Sequence, residues 1–270
     1  MIEIAIVIAG FFGLGLIVGS FLNVVIIRGA SDEPITGRSH CRSCGATLRP
    51  IDLVPVISYL LSRGRCRYCH ARISSQYVLV ELLTAISFAV IAWNVAIVGY
   101  MDVIRASLYA VIVSVAIAIG GIDLRTTYIP DRLSYLLAAL SLLSVVVTYG
   151  LTPSWQVLIA GPLIAFPLAA LWLVSRGTWI GLGDAKLALS MGWLFGITGG
   201  LTALVLSFWI GAAVSLTRLF LHKLTSINRG GLLKRIPGLT MKSEVPFAPF
   251  LILGMAAVAA TGFDLIAALS

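Results

Sequence analysis

The 270-residue chain is 59% hydrophobic and only 11% charged, with a mean hydropathy of +1.03. Soluble domains carry about a quarter charged residues, so this composition excludes an ordinary soluble globular protein and points to a polytopic membrane protein. The net charge of +8 is first a signal of membrane topology; nucleic-acid binding is the competing reading of a pI near 9.6, and no nucleic-acid partner is expected.

Apolar stretches of roughly 20 residues, long enough to cross a bilayer, fall near 4–27, 77–98, 104–122, 133–149, 155–174, 200–221 and 247–268. A shorter stretch near 185–198 is a further candidate, tilted or partly re-entrant. The expected fold class is an all-α polytopic membrane protein with about eight transmembrane helices, because helices satisfy the backbone polar groups within each segment. The chain then divides into a first span at 1–28, a loop module at 29–75, and a membrane helical core at 76–270 that carries a basic loop at 222–246.

The start, Met1-Ile2-Glu3, has an acid where a basic region would open a signal peptide, so none is expected. In the first span, Gly15 and Gly19 have the small-xxx-small spacing that lets helices approach closely. The 29–75 loop holds all four cysteines, as Cys41-Arg42-Ser43-Cys44 and Cys66-Arg67-Tyr68-Cys69 with 21 residues between the pairs. Each two-residue spacer turns two sulfurs toward one ion, so the set reads as a structural zinc site; free or redox-active thiols are the alternative. A closed four-sulfur site leaves no open position for catalysis, and metal binding would supply folding energy to a loop with little apolar residue of its own. His40 and His70 adjoin ligand cysteines, but four sulfurs already complete a tetrahedron. Within the loop, Ile51 to Leu61 is apolar, too short to cross and broken by Pro55, which suits a segment lying against the membrane surface.

Glu81 falls about one turn inside the second span, with Asn23 or Arg28 as partners near the same interface; structural pairing and the binding of a cationic ligand both remain open. Asp123 ends the next apolar run in Gly120-Gly121-Ile122-Asp123, shortly before Ile129-Pro130-Asp131. Asp131 follows a proline at a helix start, where an acid favours the dipole. Asp184 closes Gly181-Leu182-Gly183-Asp184 and opens another apolar run; Gly181 and Gly183 allow backbone or substrate to come close beside it, and Lys186 snorkels to the surface. Trp93, Trp155, Trp179, Trp193 and Trp209 read as interfacial anchors.

The connections 28–76, 123–132, 175–186 and 218–246 hold 18 of the 19 Lys and Arg residues, with only Arg105 on the other side. The positive-inside rule therefore puts these loops in the cytoplasm and both termini outside. It also puts Asp123 and Asp184 in one leaflet and the cysteines in a reducing compartment, against disulfides. Ionisable groups at membrane depth are costly and usually functional. If the two aspartates meet, one carboxylate acts as general base on a water and the other, protonated, polarises a scissile carbonyl, as in an aspartic protease. The bland alternative makes each a helix-end cap, and a rival class is a proton- or ion-coupled transporter.

Taken together and in order, these residues resemble the type IV prepilin peptidase family, which also processes type II secretion pseudopilins. The likeness runs through Gly19-Ser20-Phe21-Leu22-Asn23 and Arg28, both cysteine pairs, Pro55-Val56-Ile57-Ser58-Tyr59-Leu60, Val80-Glu81-Leu82-Leu83-Thr84, Asp123 with Ile129-Pro130-Asp131, Gly181-Leu182-Gly183-Asp184 and Pro246-Phe247-Ala248-Pro249-Phe250-Leu251. It departs at Gly29, where a proline often follows the arginine, and at Ala248, where glycine is common. Gly-Leu-Gly-Asp is also similar to a motif of presenilin-type intramembrane proteases. The resemblance implies cleavage of prepilin leaders at the cytoplasmic face of a bacterial inner membrane, and methylation of the new N-terminal amine with S-adenosylmethionine as donor. It implies that Asp123 and Asp184 are catalytic and that Cys41, Cys44, Cys66 and Cys69 bind zinc. No nucleotide-binding signature stands out; Asn23, Arg28 and Glu81 are the candidates for the methyl-donor site.

Overall fold

The computed structural model describes residues 2–31, 33–94, 103–228, 245–265 and 268. The end of the 77–98 stretch, positions 229–244 of the expected basic loop and part of the last apolar run lie outside them. Among the described residues the regular structure is helical, and the chain forms two units: residues 1–126 with 130–152, and residues 127–129 with 153–270.

In the first unit, α1 (Ile2–Gly29) places Glu3 in its first turn and Arg28 in its last, both complementary to the helix dipole. It packs along α3 (Gln76–Trp93) through its glycines: a Cβ on Gly15 would stand 2.6 Å from Ala85 Cα, and one on Gly19 would stand 2.7 Å from Glu81 Cα. The small-xxx-small pair is thus the crossing point of two spans. α4 (Val103–Thr126) closes this bundle, with Leu22, Ile26, Val80, Ile117, Ala118 and Ile122 forming its buried core. α5 (Asp131–Tyr149) begins after Pro130 with Asp131 in its first turn, as the sequence suggests. Its buried Ser134, Ser141 and Ser144 return their hydroxyls to helix carbonyls at 2.7–3.0 Å, which removes the cost of polar groups in apolar surroundings.

In the second unit, α6 (Trp155–Ser175) carries Pro162 and Pro167 internally. Pro162 has no N–H to give the carbonyl of Leu158, and Trp193 Nε1 donates to that carbonyl at 3.0 Å instead. The indole lies over Gly161, where any Cβ would collide with it. Trp193 is therefore a packing and hydrogen-bonding residue between helices and not an interfacial anchor; Trp93, Trp155, Trp179 and Trp209 are exposed, as anchors should be.

The two runs expected at 185–198 and 200–221 correspond to two helical stretches that meet at a break, together α7 (Leu182–Asn228); the break is Gly196, with φ 72° and ψ −168°. Glycine reaches this conformation without a Cβ penalty. α7 runs to Asn228, so the first positions of the expected 222–246 loop are helical. α8 (Ala248–Thr261) packs back on α7 with Gly254 against Ala203 and Ser207, beside a ring cluster of Phe208, Phe247 and Phe250. Among the described residues, six helices are long and apolar enough to cross a membrane: α1, α3, α4, α5, α6 and the Leu182–Phe220 part of α7. At 14 residues, α8 is shorter than a typical span.

Candidate functional site

The cysteine loop has almost no helix of its own, only a 3-10 turn at Pro50–Leu53 and the short α2 (Ile57–Leu61). Its two cysteine pairs fold alike. Cys41 N–H donates to Ala46 O and Gly45 N–H to Cys41 O; likewise Cys66 N–H donates to Ala71 O and His70 N–H to Cys66 O. The residue after each second cysteine is left-handed, Gly45 at φ 72° and His70 at φ 59°, and antiparallel bridges His40–Thr47 and Arg65–Arg72 close the two turns. His40 and His70 thus serve the turns, and the four cysteines are the cluster.

All four Sγ atoms lie within 4.8 Å of one another, with Cys41 Sγ 3.9 Å from Cys69 Sγ. A tetrahedron with metal–sulfur bonds of about 2.3 Å separates its sulfurs by about 3.8 Å, so the group fits one ion. The backbone N–H of Cys44 draws the Cys41 thiol down to about 6. At Cys69 the Ala71 backbone lowers the value, but desolvation and the other three sulfurs together push it up to about 12. One thiol ionises readily and another resists, because four thiolates in contact need a cation to compensate them. Asp52 braces the module, accepting the Arg49 N–H and the Tyr68 hydroxyl at 3.1 Å and lying 3.4 Å from Arg67. Around it, Ile51, Leu53, Ile57, Leu60 and Leu61 are exposed, consistent with a segment that rests on the membrane surface.

Glu81 is 5% exposed on α3, and it pairs with neither Asn23 nor Arg28. Its Oε2 accepts the N–H of Val56 at 2.7 Å. Val56 sits at φ 59° and ψ −49°, with Ile57 N–H donating to Pro55 O across it. That is the strained hand of the γ-turn, and a β-branched residue holds it only where the surroundings impose it. A buried acid of the helical bundle thereby pins the loop turn that launches α2. Arg28 spends its guanidinium on the loop backbone: Nη1 donates to the carbonyls of Pro34, Ile35 and Thr36 at 2.6–3.0 Å and Nη2 to that of Arg38 at 3.2 Å. Asn23 donates to Gly19 O and Tyr77 O, while its Oδ1 is buried without a partner among the described residues.

Between the loop module and the ends of α1, α3 and α4 lies a cavity of about 550 Å³, whose wall includes Cys41 and Cys66 on one side and Ser20, Tyr77, Glu81 and Arg125 on the other. Neither Tyr77 nor Arg125 stands out in the sequence; their common signal is only that each begins or ends a span beside a polar loop.

Asp123 lies in the last turn of α4 and is 3% exposed. Asp184 lies in the first turn of α7 and is 7% exposed, its N–H donating to Gly181 O at 3.2 Å. The two belong to different units. Beside Asp184, the space left by Gly183 is filled by the side chain of Ile129: a Cβ on Gly183 would stand 2.8 Å from Ile129 Cβ. The glycine therefore accommodates the side chain of Ile129, whereas Gly181 faces Asp184 Oδ2, 3.6 Å from where its Cβ would be.

Comparison with known proteins places this architecture. The bacterial peptidase A24 N-terminal domain matches residues 14–95, which hold α1, the cysteine loop and α3, and the type IV leader peptidase family matches residues 110–216, which hold both aspartates. A prepilin leader peptidase/N-methyltransferase of Bacillus subtilis (strain 168) is 31% identical, over 90% of this chain and 90% of its own. One from Neisseria gonorrhoeae is 31% identical over 75% of this chain and 78% of its own, and one from Myxococcus xanthus is 51% identical over a shorter stretch, 28% of this chain and 23% of its own. No solved structure matches the chain. With its two matched domains and its extended likeness to these relatives, the chain belongs to the type IV leader peptidase family.

Proposed function

We propose that this protein is a membrane aspartic endopeptidase that removes the leader from type IV prepilins and pseudopilins and then methylates the new N-terminal amine, with S-adenosylmethionine as donor. Its catalytic groups are Asp123 and Asp184. What supports this assignment is that each carboxyl is buried at a helix end, Asp123 in the last turn of α4 and Asp184 in the first turn of α7, and that both fall within residues 110–216, which match the type IV leader peptidase family. Both side chains are nearly excluded from solvent, the setting in which a carboxyl pair shares one proton.

The helix ends divide the labour. Asp184, in the first turn of α7, sits at the positive end of its dipole and acts as the carboxylate that takes a proton from the attacking water. Asp123, in the last turn of α4, sits at the negative end and acts as the protonated partner that donates to the scissile carbonyl. As the amide breaks, the base returns its proton to the leaving nitrogen. The basic connections lie on the cytoplasmic side of a bacterial inner membrane with both termini outside, so the cut is made where a short basic leader emerges. Cys41, Cys44, Cys66 and Cys69 hold zinc, which folds the loop and takes no part in the chemistry. The methyl donor brings an electrophilic methyl group to the freed amine; the protein's part is to hold and orient the two. A proton- or ion-coupled transporter, the rival reading of membrane carboxylates, finds no support in the family membership or in the cysteine module.

Purified protein incubated with a prepilin and a labelled methyl donor tests the whole proposal. The expected products are a shortened pilin and a labelled pilin N-terminus. An intact prepilin would overturn the peptidase assignment, and a shortened but unlabelled pilin would overturn the transferase assignment alone.

A further inference from the structure

The cavity of about 550 Å³ lies within the range of about 300–1,000 Å³ that small-molecule sites occupy. It is not an apolar groove awaiting a helix. One wall carries two tyrosines, Tyr59 from α2 and Tyr77 from α3, whose hydroxyls make no hydrogen bond among the described residues. Its lining includes Glu81, whose carboxyl is held by the N–H of Val56 and the hydroxyl of Ser20. Among the arginines that line it is Arg125, whose Nε and Nη2 both donate to Gln76 Oε1 at 3.0 and 2.6 Å, a grip that fixes the guanidinium plane while leaving Nη1 for a ligand. Ser20 of α1 also lines the cavity, its hydroxyl hydrogen-bonded to the Glu81 carboxyl.

Acids, arginines and aromatic rings lining one cavity suit a molecule that is at once flat, cationic and carboxylate-bearing. Rings stack on a purine and attract a cation over their faces. A buried carboxylate favours a nearby positive charge, and a braced guanidinium recognises a carboxylate. We propose that this cavity is where the methyl donor binds, with Tyr59 and Tyr77 against its adenine and sulfonium ends, Glu81 toward its positive charge and Arg125 on its carboxylate. This rests on the methyl-transfer reading above and narrows it. Of the candidates that the sequence offers, Glu81 stays; Arg28 is consumed by four loop carbonyls and Asn23 is held by the backbone of α1 and α3, so both build the walls and neither holds the ligand. Because Cys41 and Cys66 belong to the same wall, the metal module gains a second duty as one side of a binding site.

Calorimetric titration of the full-length protein in detergent with S-adenosylhomocysteine, the product form of the donor, tests the placement without turnover. The parental protein is expected to bind it. Tyr77→Ala, which removes a ring, and Ser20→Phe, which fills the cavity, are each expected to weaken binding by at least about tenfold while keeping bound zinc and the parental circular dichroism spectrum. Folded variants that bind with parental affinity overturn the placement but leave the methyl-transfer reading intact. No binding by the parental protein, together with cleaved pilin that stays unmethylated, overturns both. Should a variant lose its zinc, ultraviolet crosslinking of tritiated S-adenosylmethionine to the parental protein decides instead: label on peptides within 57–80 supports the site, and label confined to other segments overturns it.

Discussion

Asp123→Asn and Asp184→Asn, made singly, are each expected to leave prepilin uncleaved, with the rate down by on the order of 10²–10⁴-fold, the contribution of a positioned acid or base. The amide is nearly isosteric with the acid, so burial, helix ends and membrane insertion persist; what is lost is the capacity to accept or release a proton. Zinc content and the helical spectrum should match those of the parental protein. The two variants should also be equally impaired when combined, since a pair acting as one proton-sharing unit is disabled by loss of either member. Asp131→Asn provides the contrast. Asp131 opens α5 at its favourable dipole end and has no assigned part in the chemistry, so a loss as large as that of the other two would contradict the choice of the pair. In-gel conversion of a prepilin substrate, timed over several decades of enzyme concentration, measures all four.

Replacing Cys41 and Cys66 together by serine is expected to abolish metal binding, read by elemental analysis of the purified protein, and to lower pilin methylation by on the order of 100-fold or more. The loop has no hydrophobic core of its own: its regular structure amounts to a 3-10 turn and the short α2, and the two knuckles owe their mutual position to the sulfur cluster. Without the ion, four closely spaced sulfurs lose what holds them together, and the wall they form around the cavity goes with them. Leader cleavage should fall much less, because Asp123 and Asp184 sit on α4 and α7 outside the module. Limited proteolysis should find new cuts between residues 30 and 75 in the variant. A double variant that keeps its metal, or that methylates at the parental rate, would contradict the role given to the cysteines.

The cysteine site follows from local spacing. A two-residue gap sets each pair's geometry through its own turn, so the cluster could be expected before any tertiary contact was seen; the left-handed residues that follow the pairs, Gly45 and His70, emerge only from the structure. Helical spans are read the same way, from the length of apolar runs against the thickness of a bilayer. Long-range partners are a different matter. That Glu81 would hold a strained N–H at Val56, 25 positions away, depends on how the loop folds back over α3, and charge complementarity alone suggested Arg28. Arg28 instead meets loop carbonyls, a preference that no residue type in 34–38 advertises, because backbone oxygens are common to all. Trp193 shows the same gap between residue and environment. Its position near a span end suggests the membrane interface, yet the carbonyl left open by Pro162 on a neighbouring helix claims its indole. Around Gly196 the reading was partial: the two apolar runs match the two helical stretches of α7, but the apolar pattern is indifferent to a single left-handed residue and does not mark where the helix breaks.

The convergence of the two aspartates can be probed without any substrate. With Asp123→Cys and Asp184→Cys in one chain, treated in membranes with a mild oxidant or a short bifunctional thiol reagent, peptide mass spectrometry should recover a crosslink joining the ends of α4 and α7, as disulfide geometry allows only for closely opposed positions. Crosslinking should be absent when either introduced cysteine is omitted. Consistent failure to join the pair, under conditions that label each thiol individually, would contradict a shared catalytic centre.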